Sequence, residues 1–322
     1  MKKILFVLLL CCSFSLFAKN ASFKGEDYSV FVSYNEDLVP GDAIFIRMKL
    51  HTSKFNKKNT SYEKRACLQL YKKDKLLQTT PFYTISKTKK NHNVDMLCGI
   101  PLSSWLEDSE YSLKVIFTIA ENDDKEFTLP LNFKDRVFNS EIVHLDAKNT
   151  SIKTDNSPKR ATQINNLNDI LFSSIYEDIF ALENFEVPTT STRYTSYFGD
   201  RRVYKYSNGK SSTSLHYGND YGIPEGSEVL SCASGKVVMA ENRISTGYSI
   251  VIEHLPGLYS LYYHLSQMDV KEGDMVKKGQ LIGLSGSTGL ATGPHLHWEM
   301  RLNGEAVRPE FFLSNFTFSE ED

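Results

Sequence analysis

Gly293-Pro294-His295-Leu296-His297-Trp298-Glu299 is the stretch whose reading decides the second half of the chain. It follows a run of small residues, Gly283-Leu284-Ser285-Gly286-Ser287-Thr288-Gly289, and then alternates with period 2, the pattern of a tight loop feeding a strand. Residues two apart on a strand share a face, so His295 and His297 point the same way. Two imidazoles on a stiff backbone suit a metal ion, or a metal ion plus a general base. A pair of surface histidines is the alternative that these seven residues leave open.

Working outward, His216-Tyr217-Gly218-Asn219-Asp220 places a histidine and an aspartate four apart, on one face of either a strand or a helix. Gly218 between them permits close approach or an unusual backbone angle. Two histidines and one carboxylate are a recurrent catalytic zinc set that leaves the fourth position for water. Tyr259-Ser260-Leu261-Tyr262-Tyr263-His264-Leu265 adds an aromatic-rich strand on which Ser260, Tyr262 and His264 are expected to share a face. Five of the chain's eight histidines fall between positions 216 and 297, which favours a site over scattered surface residues.

These motifs, with Thr195-Ser196-Tyr197-Phe198-Gly199-Asp200-Arg201-Arg202, Gly247-Tyr248-Ser249-Ile250-Val251-Ile252-Glu253-His254, Tyr263-His264-Leu265-Ser266 and Val276-Lys277-Lys278-Gly279-Gln280-Leu281-Ile282-Gly283, make the stretch from Thr195 to Leu313 resemble the M23 (LytM/lysostaphin-type) zinc metallopeptidases. The resemblance spans a little over a third of the chain. It implies Zn2+ held by His216, Asp220 and His297, with His295 and His264 as the catalytic pair. It also implies a peptidoglycan peptide as substrate; D-amino-acid cross-links and glycine bridges both fall within it. On that reading zinc lowers the pKa of a bound water to about 7. His295 then acts as general base, and His264 stabilises the tetrahedral intermediate or assists proton transfer. Tyr197, Tyr217 and Tyr262 read as groove or oxyanion groups against a packing alternative. Arg202 reads as ordering the groove, and Glu299, on the face of His297, as a surface carboxylate against the alternative of a group supporting that ligand.

Two functions of other classes compete. A non-catalytic LytM-type protein would bind wall and regulate another hydrolase, but such proteins have lost ligand residues, and all five named here are present. A biotinyl or lipoyl carrier is suggested by Val270 to Gln280, yet no modifiable lysine flanked by methionine stands at a matching hairpin tip.

Composition narrows the class further. Lys and Arg number 37 against 39 Asp and Glu, for a formal net charge of −2, so there is no electrostatic case for nucleic acid. Met1-Lys2-Lys3, the apolar run Ile4 to Phe17 and Ala18-Lys19 read as a signal peptide over residues 1–18, hence export to the periplasm or cell envelope. An uncleaved anchor and lipidation at Cys11 are the alternatives. Of the remaining cysteines, Cys67 and Cys98 fall in one domain and can pair, while Cys232 reads as a small buried residue.

The expected architecture is mainly β. Residues 20–147 alternate as in an immunoglobulin-like sandwich: Ile44, Ile46, Met48 and Leu50 on one strand, and Tyr111, Leu113, Val115, Phe117 and Ile119 on another. Val39-Pro40-Gly41-Asp42 and Glu121-Asn122-Asp123-Asp124 are turn signals. Lys54 to Lys58 and Lys87 to Lys90 read as solvated loops, with contact to anionic wall polymers or lipid headgroups as the alternative. Residues 148–190 are a linker carrying an amphipathic helix, with Ser157 as N-cap and Pro158 at its first position. Ile164, Leu167, Leu171, Ile175, Ile179 and Leu182 form its stripe, running to about Asn184. That stripe packs on one of the chain's own domains, lies over the catalytic groove, or docks an envelope protein, for which the N-terminal domain is the other candidate surface. Residues 191–315 are an antiparallel β domain with strands at Glu228-Leu230, Gly235-Ala240, Ser249-His254, Tyr259-His264, Gln280-Ser285 and His295-Arg301.

Overall fold

Alternation builds the first half. In Ala43–Thr52, Ile44, Ile46, Met48 and Leu50 are all buried, and the strand pairs with Tyr28–Tyr34 on one side and Asn93–Pro101 on the other. Tyr111–Ala120 buries Leu113, Val115 and Phe117 and pairs with Ala66–Lys72 and Asp123–Pro130. A computed structural model of the chain describes residues 19–52, 66–87, 93–120, 123–314 and 318. The segment read as a signal peptide, the lysine stretches 54–58 and 88–90, His92 and turn residues 121–122 lie outside them.

The described chain forms two compact units, residues 1–135 and 136–322. In the first, a five-stranded sheet (Lys19–Lys24, Tyr28–Tyr34, Ala43–Thr52, Asn93–Pro101, Tyr83–Lys87) and a four-stranded sheet (Asp123–Pro130, Tyr111–Ala120, Ala66–Lys72, Lys75–Pro81) contribute to one apolar cluster. The result is a two-sheet sandwich. Cys67 and Cys98 are free thiols on different sheets, and no pairing between them is seen.

The second unit is built on an eight-stranded antiparallel sheet, beside which lie two three-stranded sheets. Along the eight-stranded sheet run Tyr194–Ser196, Asn219–Tyr221, Leu296–Leu302, Leu258–Leu265, Gly247–Leu255, Gly235–Arg243 and Met275–Val276, and Glu305–Val307 pairs with Leu296–Leu302. The strand Leu296–Leu302 therefore lies between Asn219–Tyr221 and Leu258–Leu265, which brings three distant histidine motifs side by side. Pro256-Gly257 turns the hairpin between the Gly247 and Leu258 strands, with Gly257 in the left-handed region at φ 74°. Behind the sheet His254 is buried and neutral. Burial lowers its pKa to about 4, and its ring is hydrogen-bonded to Ser234 O and Ser260 Oγ. Cys232 beside it is buried, its thiol pushed up to about 11 by burial, as suits a packing residue.

The linker differs from expectation in three ways. Residues 136–147, placed with the N-terminal domain on sequence, belong to the second unit, where Ser140–His144 pairs in parallel with Arg201–Lys205. The polar segment after it holds a short helix, Ala147–Lys153, capped by the Asp146 carboxylate accepting from Asn149 N–H at 2.7 Å. The second helix starts as expected, at Ser157 and Pro158, but ends at Leu171 rather than near Asn184. Past Phe172 the backbone turns to other partners: Ser173 Oγ donates to Ile170 O, and the N–H groups of Phe180 and Ala181 donate to His254 O on the sheet. Ile175 is half exposed, so the apolar spacing beyond 171 belongs to an irregular segment. Leu167, Ile170 and Leu171 pack against Met239, Val251, Tyr259, Leu261 and Tyr263.

Glu253 is a buried carboxyl on the same sheet, opposite Tyr259. Burial and the nearby Asp178 push its pKa up from 4.5 to about 7, against the Tyr259 hydroxyl and Lys236. A carboxyl with a raised native pKa costs stability once the unfolded chain ionises. The cost is absent below pH 4.5, grows between 4.5 and 7, and is complete above 7. Glu253→Gln should therefore match the wild type in urea unfolding at pH 4 and exceed it by about 3 kcal/mol at pH 8. An advantage that does not change with pH would refute the assignment.

Candidate metal centre

Cross-strand pairing assembles the site. His297 lies directly opposite Asp220 in one neighbouring strand and Tyr263 in the other. Directly paired residues share a face, so the three side chains meet. The Tyr263 ring stacks on His297, centroids 5.5 Å apart and ring planes nearly parallel. Asp220 Oδ1 stands 2.6 Å from His297 Nδ1. His216 enters from the bend before Asn219–Tyr221, where its N–H donates to Asp200 O and its carbonyl accepts from Gly199 N–H. Gly218 makes that bend fit, since a Cβ there would sit 2.3 Å from Trp298 O.

Each ring is oriented by the nitrogen that faces away from the centre. His216 Nδ1–H donates to Tyr197 O at 2.8 Å, so Nε2 keeps its lone pair, 3.0 Å from His297 Nδ1 and 3.1 Å from Asp220 Oδ1. His297 Nε2–H donates to Glu299 Oε1 at 2.9 Å, which leaves Nδ1 facing inward. Arg202 donates to Asp220 Oδ2 at 2.8 Å and also pairs with Glu141, so Oδ1 is the inward oxygen. Three lone-pair atoms in a buried pocket thus face one another. Such an arrangement needs a proton or a cation between them. Burial opposes charge on His297, but Asp220 and Glu299 overcome it and hold the ring protonated, pushed up to about 9. Burial likewise opposes ionisation of Asp220, yet His216 and His297 keep it well below the usual carboxylate range.

A dication fits where that proton sits. Among the described residues, His216, Asp220 and His297 form the one group of His, Cys, Asp or Glu side chains whose ligand atoms all lie within 4.8 Å of one another. Ligand atoms on a tetrahedral zinc stand about 3.3 Å apart, a few tenths wider than this cluster.

The expected catalytic histidines lie at its edge. His295 Nδ1–H donates to Gly293 O at 2.8 Å, and its Nε2 is 3.8 Å from Asp220 Oδ1. His264 is not on the face of Ser260 and Tyr262, as alternation predicts. Its φ is 62°, a left-handed backbone that costs a non-glycine residue about 1–2 kcal/mol and turns the ring to the other side of the strand. There its centroid is 4.7 Å from His295 and 6.1 Å from His297. Thr246 O accepts its N–H and Thr288 O accepts its Nδ1–H, at 2.9 and 2.8 Å. Thr288 is itself tied, its hydroxyl donating to Leu265 O and accepting from Tyr248 N–H. Burial, then His295 and His297, lower the His264 pKa to about 3, so the ring is neutral.

Other expectations separate. Tyr262 is wholly buried, its hydroxyl accepting from Cys232 N–H and Ser260 Oγ, so it packs and lines nothing. Tyr197 and Tyr217 are half exposed beside His216, Tyr197 stacked on Tyr194 and Tyr217 lying over the Arg301 guanidinium at 4.5 Å. Glu299 is no surface carboxylate, being buried between His297 and Arg301. The clue in the sequence was Arg301, two residues on along the same face. Glu141 and Thr288 carried no such signal.

Residues 214–309 match Peptidase family M23. The DD-carboxypeptidase/endopeptidase Mpg of Neisseria meningitidis serogroup B is 39% identical over 122 residues, 38% of this chain and 27% of Mpg. The peptidoglycan DD-endopeptidase ShyA of Vibrio cholerae serotype O1 is 40% identical over 115 residues, 36% of this chain and 26% of ShyA. The chain thus aligns with about a quarter of the length of these curated relatives. A crystal structure of a putative peptidase M23 from Pseudomonas aeruginosa superposes with a TM-score of 0.54 at 19% identity, over 86% of this chain and 95% of the other, a likeness of fold.

The contact at Gly218 is open to test. A Cβ 2.3 Å from a backbone oxygen and 2.8 Å from Glu299 Cγ forces the strands apart. Gly218→Ala should lower unfolding free energy by about 2 kcal/mol. Unchanged urea stability would mean the two strands do not approach this closely.

Proposed function

We propose that this chain, whose residues 214–309 are an M23 peptidase domain, is an exported zinc-dependent endopeptidase that hydrolyses the peptide cross-links of bacterial peptidoglycan. The observation that carries the proposal is the buried convergence of His216 Nε2, Asp220 Oδ1 and His297 Nδ1 beside two further imidazoles. The names of the peptidoglycan endopeptidase relatives support the substrate. The basic and apolar start of the sequence supports export to the compartment where that polymer lies.

His216, Asp220 and His297 would hold the ion. When bound, zinc supplies Lewis acidity, bringing the pKa of a water near 7 and polarising the scissile carbonyl. His295 and His264 manage protons. Each anchors Nδ1–H on a backbone carbonyl and presents Nε2 as a lone pair, so each begins as an acceptor. The ring that takes the proton becomes an N–H donor at the same atom. It then serves the anionic intermediate or protonates the leaving amine. Tyr197 and Tyr217 offer aromatic walls for an extended peptide beside the centre.

His295 and His297 should separate although they are two residues apart. His297→Ala should lose zinc and activity. His295→Ala should keep zinc by metal analysis and lower kcat by about 10²-fold or more. Zinc loss in His295→Ala with retention in His297→Ala would reverse the assignment.

Digestion of purified sacculi tests the substrate. Dimeric muropeptides should become monomers with glycan length unchanged, and a chelator should stop the reaction. Intact dimers together with acceleration of a separate amidase would establish the non-catalytic regulator instead.

A further inference from the structure

His297 has two ring nitrogens, and only the one bearing a lone pair can face a metal ion. Which nitrogen that is depends on what the other one donates to. Here the partner is the carboxylate of Glu299, two residues along the same strand and buried. Glu299 Oε1 accepts from His297 Nε2 at 2.9 Å, and Oε2 accepts from Arg301 Nε and from its terminal nitrogen, each at 2.7 Å. Arg301 is held in turn by the Tyr217 ring, 4.5 Å away, and by Gly304 O. We infer that Glu299 is a positioning residue: with Arg301 it locks His297 as the Nε2–H tautomer, so that Nδ1 is presented to the metal. This rests on the reading that His216, Asp220 and His297 hold zinc.

The two ends of the carboxylate have separate tasks. Arg301 has only donors and requires an acceptor, which Oε2 supplies; Oε1 is then left for His297. A carboxylate can accept at both ends and an amide cannot. With Glu299→Gln, the amide oxygen is drawn to Arg301 and the NH2 group faces His297 Nε2. Two donors would then meet unless the ring changes tautomer, and the change puts a proton on Nδ1, where the metal should be. Removing the guanidinium as well, in Glu299→Gln with Arg301→Met, frees the amide to turn its oxygen back to His297. The double variant should therefore recover what the single variant loses. Recovered stability alone would follow from removing a buried, unpaired guanidinium whatever Glu299 does; recovery of zinc affinity together with the Nε2–H signature is what a positioning role predicts.

The experiment uses the full chain. Zinc affinity is measured by competition with a chromophoric chelator. The His297 tautomer is read at saturating zinc, where the ring carries a single proton, from long-range 15N–1H correlation spectra of 15N-histidine-labelled protein, and metal-free urea unfolding gives stability. Glu299→Gln should bind zinc 10- to 100-fold more weakly and lose the Nε2–H signature. The double variant should regain most of the affinity and that signature. Wild-type affinity in Glu299→Gln would overturn the inference. So would weakened binding that the double variant does not rescue, with the Nε2–H tautomer kept throughout. A wild type that takes up no zinc, or a His297→Ala variant that keeps it, would overturn the metal centre and this role with it; loss confined to His297→Ala would overturn this role alone.

Discussion

Asp220 faces His297 across an antiparallel ladder, and the site depends on that register. A slip of one residue would carry Asp220 to the opposite face and leave a buried histidine without its carboxylate. Local features hold the register. Gly218 lets the bend close on Trp298 O, and the fully buried Trp298 pairs with Asn219 on one side and Tyr262 on the other. On the far flank Tyr263 stacks on His297 and closes that side to water.

Around this pairing the chain repeats one device. His216, His264 and His295 each spend Nδ1–H on a backbone carbonyl, and His297 spends Nε2–H on Glu299. Each ring is thereby turned so that one chosen nitrogen faces the centre. The two buried carboxylates are treated alike: Arg202 takes one oxygen of Asp220 and Arg301 one oxygen of Glu299. A buried charge left unpaired costs several kcal/mol, so each guanidinium stabilises its carboxylate while sparing the oxygen that faces a histidine. The pocket is ordered before any ligand arrives, which suits electrostatic catalysis in a water-poor site.

The helix Pro158–Leu171 enters the same logic from outside the sheet. The Gln163 amide donates to Asn242 O and accepts from Ile244 N–H, and Arg160 donates to Ser245 Oγ, so the helix holds the hairpin between the Gly235 and Gly247 strands. At that hairpin Thr246 O receives the N–H of His264, the residue with left-handed backbone. Strain of this kind persists only where the surroundings over-determine it. Here the helix, the hairpin and Thr288 do so together.

Much of this was legible in residue order. Alternation in Ala43–Thr52 and Tyr111–Ala120 announced the sandwich strands, and the Ser157-Pro158 pair announced a helix start, because periodicity and caps are local properties. The His-X-His and His-X3-Asp spacings marked the ligand candidates for the same reason. The helix end was not legible, since apolar spacing continues past Leu171 while the backbone hydrogen bonds turn to His254 O on the sheet. Nor was the face of His264, which alternation put beside Tyr262 and a single positive φ put beside His295. Glu299 looked like a surface carboxylate because Arg301, its partner two residues on, does not by itself state that this face is buried. Sequence alone therefore determined which side chains were available and the period on which they lie. The tertiary structure decided which nitrogen or oxygen of each faces the centre, because that choice is made by partners far away in the chain, brought near only by strand order.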